Sequence, residues 1–147
     1  MAAKSNKTTA KLNAKIALFI KEAGDKSKYN EEQQKIYTAF TKTNGKPIRF
    51  QVVDCEGIIL NVSIDPKTEV AKILNKHFYE SNGMVKTEHI LKMFDVMRSG
   101  VKSYNKGNYV YRKRFTMKGE VYFLVIKLFQ NGKEAVLKSF YSNIGYK

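Results

Sequence analysis

Near Gly100 the hydrophobic period of this chain passes from helical to twofold for the rest of its length, and that switch narrows the fold more than any motif does. Upstream, apolar residues recur every three or four positions. Leu12, Ile16, Phe19, Ile20 and Ala23 share one helical face, as do Ile36, Tyr37 and Phe40. So do Val70, Ile73, Leu74 and Phe78, and then Ile90, Leu91, Phe94 and Met97. Downstream the period is two. Segments 108–116, 121–129 and 135–142 read as strands, and 101–104 adds a short fourth. Met117-Lys118-Gly119-Glu120 and Gln130-Asn131-Gly132-Lys133 join them as hairpin turns, the second carrying the strong Asn-Gly signal. The expected class is α+β: N-terminal helices and a β-hairpin, then helices packed on a C-terminal antiparallel meander of three or four strands.

Local signals place the boundaries. Residues 1–9 are polar and lysine-rich and read as a flexible basic arm. Residues 10–56 read as a helical N-terminal extension with the start of the hairpin, and 57–147 as the main α+β domain. Asn30 with Gln33 makes a capping box, with Glu31 and Glu32 in the first turn. Asn44-Gly45 and Pro47 stop that helix. Segments 48–53 and 58–64 flank the turn Asp54-Cys55-Glu56-Gly57. Asp65-Pro66 opens a helix expected to run to about Glu80, since Asp caps and Pro fits the first helical position. Thr87 is expected to cap a further helix over 88–98.

Charge points to partners. Residues 101–147 hold 10 Lys/Arg against 2 Asp/Glu, within a chain of net charge +14. Such density repels itself and suits a polyanion, although a lysine-rich surface kept for solubility is the plainer reading. No apolar run approaches the length of a bilayer span, so no membrane partner is expected. The segment 15–20 is too short and broken for a signal core. The single cysteine, Cys55, excludes internal disulfides and Cys-pair zinc sites, and its neighbours Asp54 and Glu56 argue against a reactive thiolate. Cytoplasmic residence is the expectation.

Several chemistries lack their residues. There is no phosphate-binding Gly-rich loop, no His-Glu-x-x-His and no Asp-rich calcium loop. With 13 Asp/Glu, mostly in caps and turns, a carboxylate metal cluster is not expected, nor is any cofactor. What remains is metal-free phosphodiester chemistry on RNA, which supplies its own 2′-OH nucleophile. It needs a base, an acid and cations to hold the developing phosphate charge. His77, in Leu74-Asn75-Lys76-His77-Phe78, is either a packing or capping residue or an acid–base group at a helix C-terminus. His89, in a helix first turn, reads as a surface residue. In Tyr109-Val110-Tyr111-Arg112-Lys113-Arg114-Phe115 the twofold period sets Arg112 and Arg114 opposite the aromatics. Those arginines sit on an ordinary solvated face or on a phosphate-binding one. Ser139 and Tyr141 likewise share a face, with Phe140 opposite.

Taken together, the segment from about Gly57 to Ser142 resembles the ribonuclease superfamily that groups barnase, EndoU, colicin-type tRNases and RelE, in its prophage-encoded branch. The resemblance is carried by Asp65-Pro66, Asn75-Lys76-His77-Phe78, Thr87-Glu88-His89-Ile90 through Met97-Arg98-Ser99-Gly100, Tyr109-Val110-Tyr111-Arg112, Tyr122-Phe123-Leu124-Val125-Ile126 and Ser139-Phe140-Tyr141. It implies helices on a four-stranded antiparallel sheet with RNA on the open face, and makes 57–147 a ribonuclease-like domain. By the same resemblance His77, Arg112, Ser139 and Tyr141 are catalytic, with Lys76, Lys102, Lys106, Arg114 and Lys138 binding RNA. The strand Glu suited to a barnase-type base is absent. The expected function is a metal-independent endoribonuclease, toxin-like or phage-associated, that leaves a 2′,3′-cyclic phosphate. RNA (tRNA among the candidates) and an immunity or antitoxin protein are the expected partners. The alternatives are a non-catalytic basic binding module, on nucleic acid or as a phage-encoded inhibitor of a host defence protein, and a structural protein whose charge only neutralises nucleic acid.

Overall fold

The fold, seen in a computed structural model, is a six-stranded mixed sheet with helices banked against one face. Residues 2–42, 44–129 and 133–145 are described, those at 2–9 by their backbone alone. In chain order the elements are α1 (Ala2–Ala23), a 3-10 turn (Lys26–Lys28), α2 (Glu31–Thr41), β1 (Ile48–Val53), β2 (Ile59–Ile64), a π-helical turn (Pro66–Val70) and α3 (Ala71–Lys76). There follow α4 (Thr87–Leu91), α5 (Met93–Ser99), β3 (Val101–Asn105), β4 (Asn108–Arg114), β5 (Val121–Leu128) and β6 (Glu134–Ser142). Among the described residues no helix is long and apolar enough to cross a membrane.

The strand order is β1-β2-β6-β5-β4-β3. The meander β3 to β6 is antiparallel, and the β1–β2 hairpin joins it through a parallel pairing of Asn61, Val62 and Ser63 with Glu134, Ala135 and Val136. The expected boundary at residues 56 and 57 therefore falls inside a hairpin of the common sheet. One core spans both sides of it, running from Phe19 and Phe40 through Leu60 and Val62 to Leu124 and Phe140. The helix expected from Ala10 starts at Ala2, so 2–9 are helical backbone rather than a separate arm.

The local signals act as their chemistry requires. The Asn30 side chain accepts from Gln33 N–H at 2.8 Å and Gln33 reaches back to Asn30 N–H, while Asp65 accepts from Lys67 N–H at 2.9 Å with Pro66 at the first helical position. The helix that follows is shorter than expected. It opens as a π-helical turn and stops at Lys76, because Tyr79 takes a left-handed φ of 55° and Phe78 bridges to Val85. Contacts to α1 hold this exit: Tyr79 Oη donates to Glu22 Oε2 at 2.5 Å, and Lys15 binds Glu80 at 2.6 Å and the Phe78 carbonyl. The expected helix 88–98 breaks at Lys92 into α4 and α5. Thr87 does not cap it; its hydroxyl donates to Glu22 Oε1 at 2.6 Å. The Asn131-Gly132 turn lies outside the described residues.

Candidate RNA-binding cleft

The sheet has one buried face and one open face, and the register sorts the polar side chains between them. On the buried face lie Tyr111, Tyr122, Leu124, Ile126, Leu137 and Phe140. On the other, Arg112 pairs with Phe123, and Phe123 with Tyr141, in one row across β4, β5 and β6. Aromatic ring contacts continue that row. The Phe123 and Tyr141 rings lie 5.1 Å apart at 17°, and Tyr141 and His77 lie 5.6 Å apart at 33°. Three rings thus form a ledge, with Arg112 at its far end.

The cleft beside the ledge exists because β2 is short. β2 ends at Ile64, where Asp65 caps a helical turn and Pro66 has no N–H to extend the ladder, whereas β6 runs on to Ser142. Alongside the unpaired stretch of β6 lies α3. Lys72, Ile73, Lys76 and His77 of α3 face Lys138 and Ser139 of β6 and Val125 of β5 around a space of about 230 Å³. Between Val125 and Ile126 the register slips by one, so Lys138 is the extra residue of a β-bulge and is exposed. The bulge changes which residues of β6 face inward, from Ala135 and Leu137 to Phe140 and Ser142, leaving Ser139 and Tyr141 on the open face.

His77 closes the C-terminus of α3. Its Nδ1 lies 3.0 Å from the Asn82 carbonyl oxygen, an acceptor only, so Nδ1 is the donor of that bond, and in the neutral imidazole Nε2 is then the acceptor. Of the nine residues expected at the site, His77, Ser139, Lys76 and Lys138 line the cleft, and the Tyr141 ring lies tilted against that of His77. Arg112 stands two strands, about 10 Å, from Tyr141 across the sheet. Arg114 lies two residues beyond it on the same face, exposed, its Nε donating to the Gly119 carbonyl at 3.1 Å.

Two of the nine fall elsewhere. Lys102 is not a free cation. It pairs with Tyr111 across the β3–β4 hairpin, so it points to the buried face, where its side chain is 6% exposed. Its Nζ lies 2.7 Å from Asp54 Oδ2, 3.0 Å from Glu56 Oε1 and 3.9 Å from the centre of the Tyr109 ring. Asp54 is itself buried and also accepts from Tyr111 Oη at 2.8 Å and from the Glu56 and Ile58 amides. Burial would raise the Asp54 carboxyl, but these bonds, led by Lys102, outweigh it and hold the group below the usual carboxylate range. Lys106 occupies the β3–β4 turn with a left-handed φ of 50°. That turn lies beyond Asn108, four residues from Arg112, so at about 3.3 Å per residue it is more than 13 Å along the strand from the ledge.

His89 is a structural residue, and not a surface one. Its Nδ1 accepts from Lys86 N–H at 3.0 Å, capping α4, and its Nε2 lies 3.0 Å from Tyr122 Oη. Its ring lies against those of Phe115 and Tyr122. Burial, first among several causes, pushes its pKa below the ordinary histidine value. The Cys55 thiol is pushed up by burial and by Asp54, in keeping with an unreactive thiol. Among the described residues no three His, Cys, Asp or Glu side chains gather so as to hold a metal ion.

Sequence reasoning missed Phe123, Val125 and Lys72. The signals were present: Phe123 and Val125 alternate with the core residues Tyr122, Leu124 and Ile126, and Lys72 precedes Lys76 by one helical turn. No family model, curated protein or solved structure was found to match the chain.

Proposed function

We propose that the protein is a metal-independent endoribonuclease, toxin-like or phage-associated, acting in the cytoplasm on single-stranded RNA. The observation that carries the reading is His77, whose Nδ1 is committed to Asn82 while its ring borders a cleft with Lys76, Lys138 and Ser139. In this reading unpaired bases stack on the ledge of Tyr141 and Phe123, a mode open to single strands and closed to duplexes. The scissile phosphate enters the cleft, where Lys72, Lys76 and Lys138 bind its non-bridging oxygens. Nε2 of His77 takes the 2′-OH proton, the 2′-oxygen bonds to phosphorus, and the bond to the 5′-oxygen breaks. The Tyr141 hydroxyl gives the leaving oxygen its proton, and the product is a 2′,3′-cyclic phosphate.

The spacing of Arg112 favours a second reading. At about 10 Å from Tyr141 it extends a binding track more readily than it completes a compact catalytic group, as in a non-catalytic RNA-binding module. Incubation with single-stranded RNA in EDTA separates the two. Cuts bearing cyclic phosphate ends, abolished by His77→Ala, support the enzyme. Salt-dependent binding without cuts supports the module, and no binding to any RNA overturns both.

A further inference from the structure

The segment between α3 and α4 is riveted to the end of β6. Gly83 N–H donates to the Ile144 carbonyl at 2.7 Å, and Ser142 N–H donates to the Gly83 carbonyl at 3.1 Å. Ser142 is fully buried, and its hydroxyl accepts from Ile144 N–H at 3.2 Å, which folds the chain back after the strand. Gly145, at a φ of 79°, then lies flat against the segment. A Cβ there would strike the Ser81 carbonyl oxygen and come within 2.6 Å of Asn82 Oδ1. The other side of the segment is closed too, since the His77 carbonyl accepts from Val85 N–H at 3.0 Å. Asn82, whose carbonyl takes the Nδ1 proton of His77, is therefore fixed from both sides.

We infer that the C-terminal hook, Ser142 to Gly145, is a positioning device for His77: it presses the Asn82 carbonyl onto Nδ1, holds the imidazole in one tautomer and leaves Nε2 as the proton acceptor of the cleft. An unconstrained neutral imidazole samples both tautomers, so a histidine meant to accept a proton at one nitrogen needs the other committed. Here the commitment comes from a backbone oxygen, which no change of the Asn82 side chain removes, and the oxygen is placed by residues sixty or more positions away in the chain. The tautomer is independent of what the protein does to RNA. Only the use of Nε2 as a base rests on the ribonuclease reading.

The test is long-range proton–nitrogen NMR of the two histidine rings in the whole protein at neutral pH. His77 is expected as the Nδ1–H tautomer and His89, capping Lys86, as the Nε2–H tautomer, so the two serve as internal references. Gly145→Ala should move His77 toward a mixture of tautomers and leave His89 alone. Gly57→Ala is the matched control: its φ of 81° imposes similar backbone strain, but nothing lies within 4 Å of the new methyl and the site is the β1–β2 turn. It should lower the melting temperature and leave both rings unchanged. In the cleavage assay Gly145→Ala should lose about tenfold in kcat, part of the 10²–10⁴ that a general base supplies, with RNA affinity kept. An Nε2–H tautomer of His77 in the unaltered protein overturns the inference without any variant. So does a well-folded Gly145→Ala protein whose His77 tautomer is unmoved. If the tautomers behave as expected but the unaltered protein cuts no RNA, the hook stands and the ribonuclease reading falls.

Discussion

The salt dependence of RNA binding tests how the cations are shared between scaffold and ligand. Lys72, Lys76 and Lys138 edge the cleft, and Arg112 and Arg114 continue along the open face. If each of the five meets one phosphate of a single strand, counterion release at about 0.7 per contact gives a slope of about −3.5 in log affinity against log salt. Between 50 and 200 mM salt the affinity then falls by about a hundredfold. Lys138→Met should flatten the slope by about 0.7, reducing that fall by a factor of about 2.6. Lys102→Met should leave the slope alone, because its ammonium is bound to Asp54 and Glu56 beneath the sheet. The assay is fluorescence anisotropy of a labelled 2′-O-methyl RNA, which binds but cannot be cut by 2′-OH attack. Equal flattening by Lys138→Met and Lys102→Met would refute the division of cations, and a slope near zero would refute phosphate binding on this face.

Three further outcomes follow from named contacts. Phe123→Ala should weaken single-stranded RNA binding by about 1–3 kcal/mol, the worth of a base–aromatic stack, with duplex RNA unaffected, as titration of both forms will show. Lys102→Met leaves the Asp54 carboxylate buried without its ammonium and should cost about 3 kcal/mol or more in urea unfolding, the loss expected when one partner of a buried pair is removed. Because burial lowers the His89 pKa in the folded state, the unfolded chain binds its proton first, so stability is full above about pH 6.5 and declines as pH falls below it. His89→Gln, which keeps an acceptor for Lys86 N–H, should flatten urea midpoints between pH 7.5 and 5, and an unchanged decline would mean that other groups cause it.

What was legible in the sequence was local. The capping box at Asn30, the Asp65-Pro66 start and the twofold period after Gly100 depend on neighbours within a few residues, and each forms as the chain dictates. The pairing of Ser139 with Tyr141 on one face was legible for the same reason. The parallel contact of β2 with β6 was not, since it joins residues 73 positions apart and nothing in either strand declares its partner. That contact merges the N-terminal hairpin with the meander, and its early end opens the cleft. Lys102 was misplaced although a signal existed. The turn at Lys106 and Gly107 aligns Lys102 with Tyr111, whose core-facing side was evident from its period. A lysine opposite a core tyrosine must either be exposed at an edge or find a buried acid. Asp54, read as a turn residue and as a neighbour of Cys55, is that acid.

The distribution of acids explains why the positive charge on the open face is an arrangement and not a mere excess. Ion pairs of lysine and arginine engage Lys11 and Lys15 with Glu80, Arg49 with Glu134, Lys72 with Glu69, Arg98 with Glu32 and Asp95, and Lys102 with Asp54 and Glu56. These join α1 to the loop after α3, α2 to α5, β1 to β6 and β3 to the β1–β2 turn, or lie within one helical stretch, and only the 4.0 Å pair of Lys72 with Glu69 touches the cleft. None engages Lys76, Arg112, Arg114 or Lys138. A lysine-rich coat kept for solubility would intersperse the two signs, since mixed charge serves that purpose without self-repulsion. Here most of the carboxylates that pair with lysine or arginine serve the scaffold, and Glu31, Glu88 and Glu120 are exposed, while the cations beside the aromatic ledge face one another across the sheet. That repulsion falls when a chain of phosphates lies between them, and an aromatic row gives such a chain somewhere to set its bases.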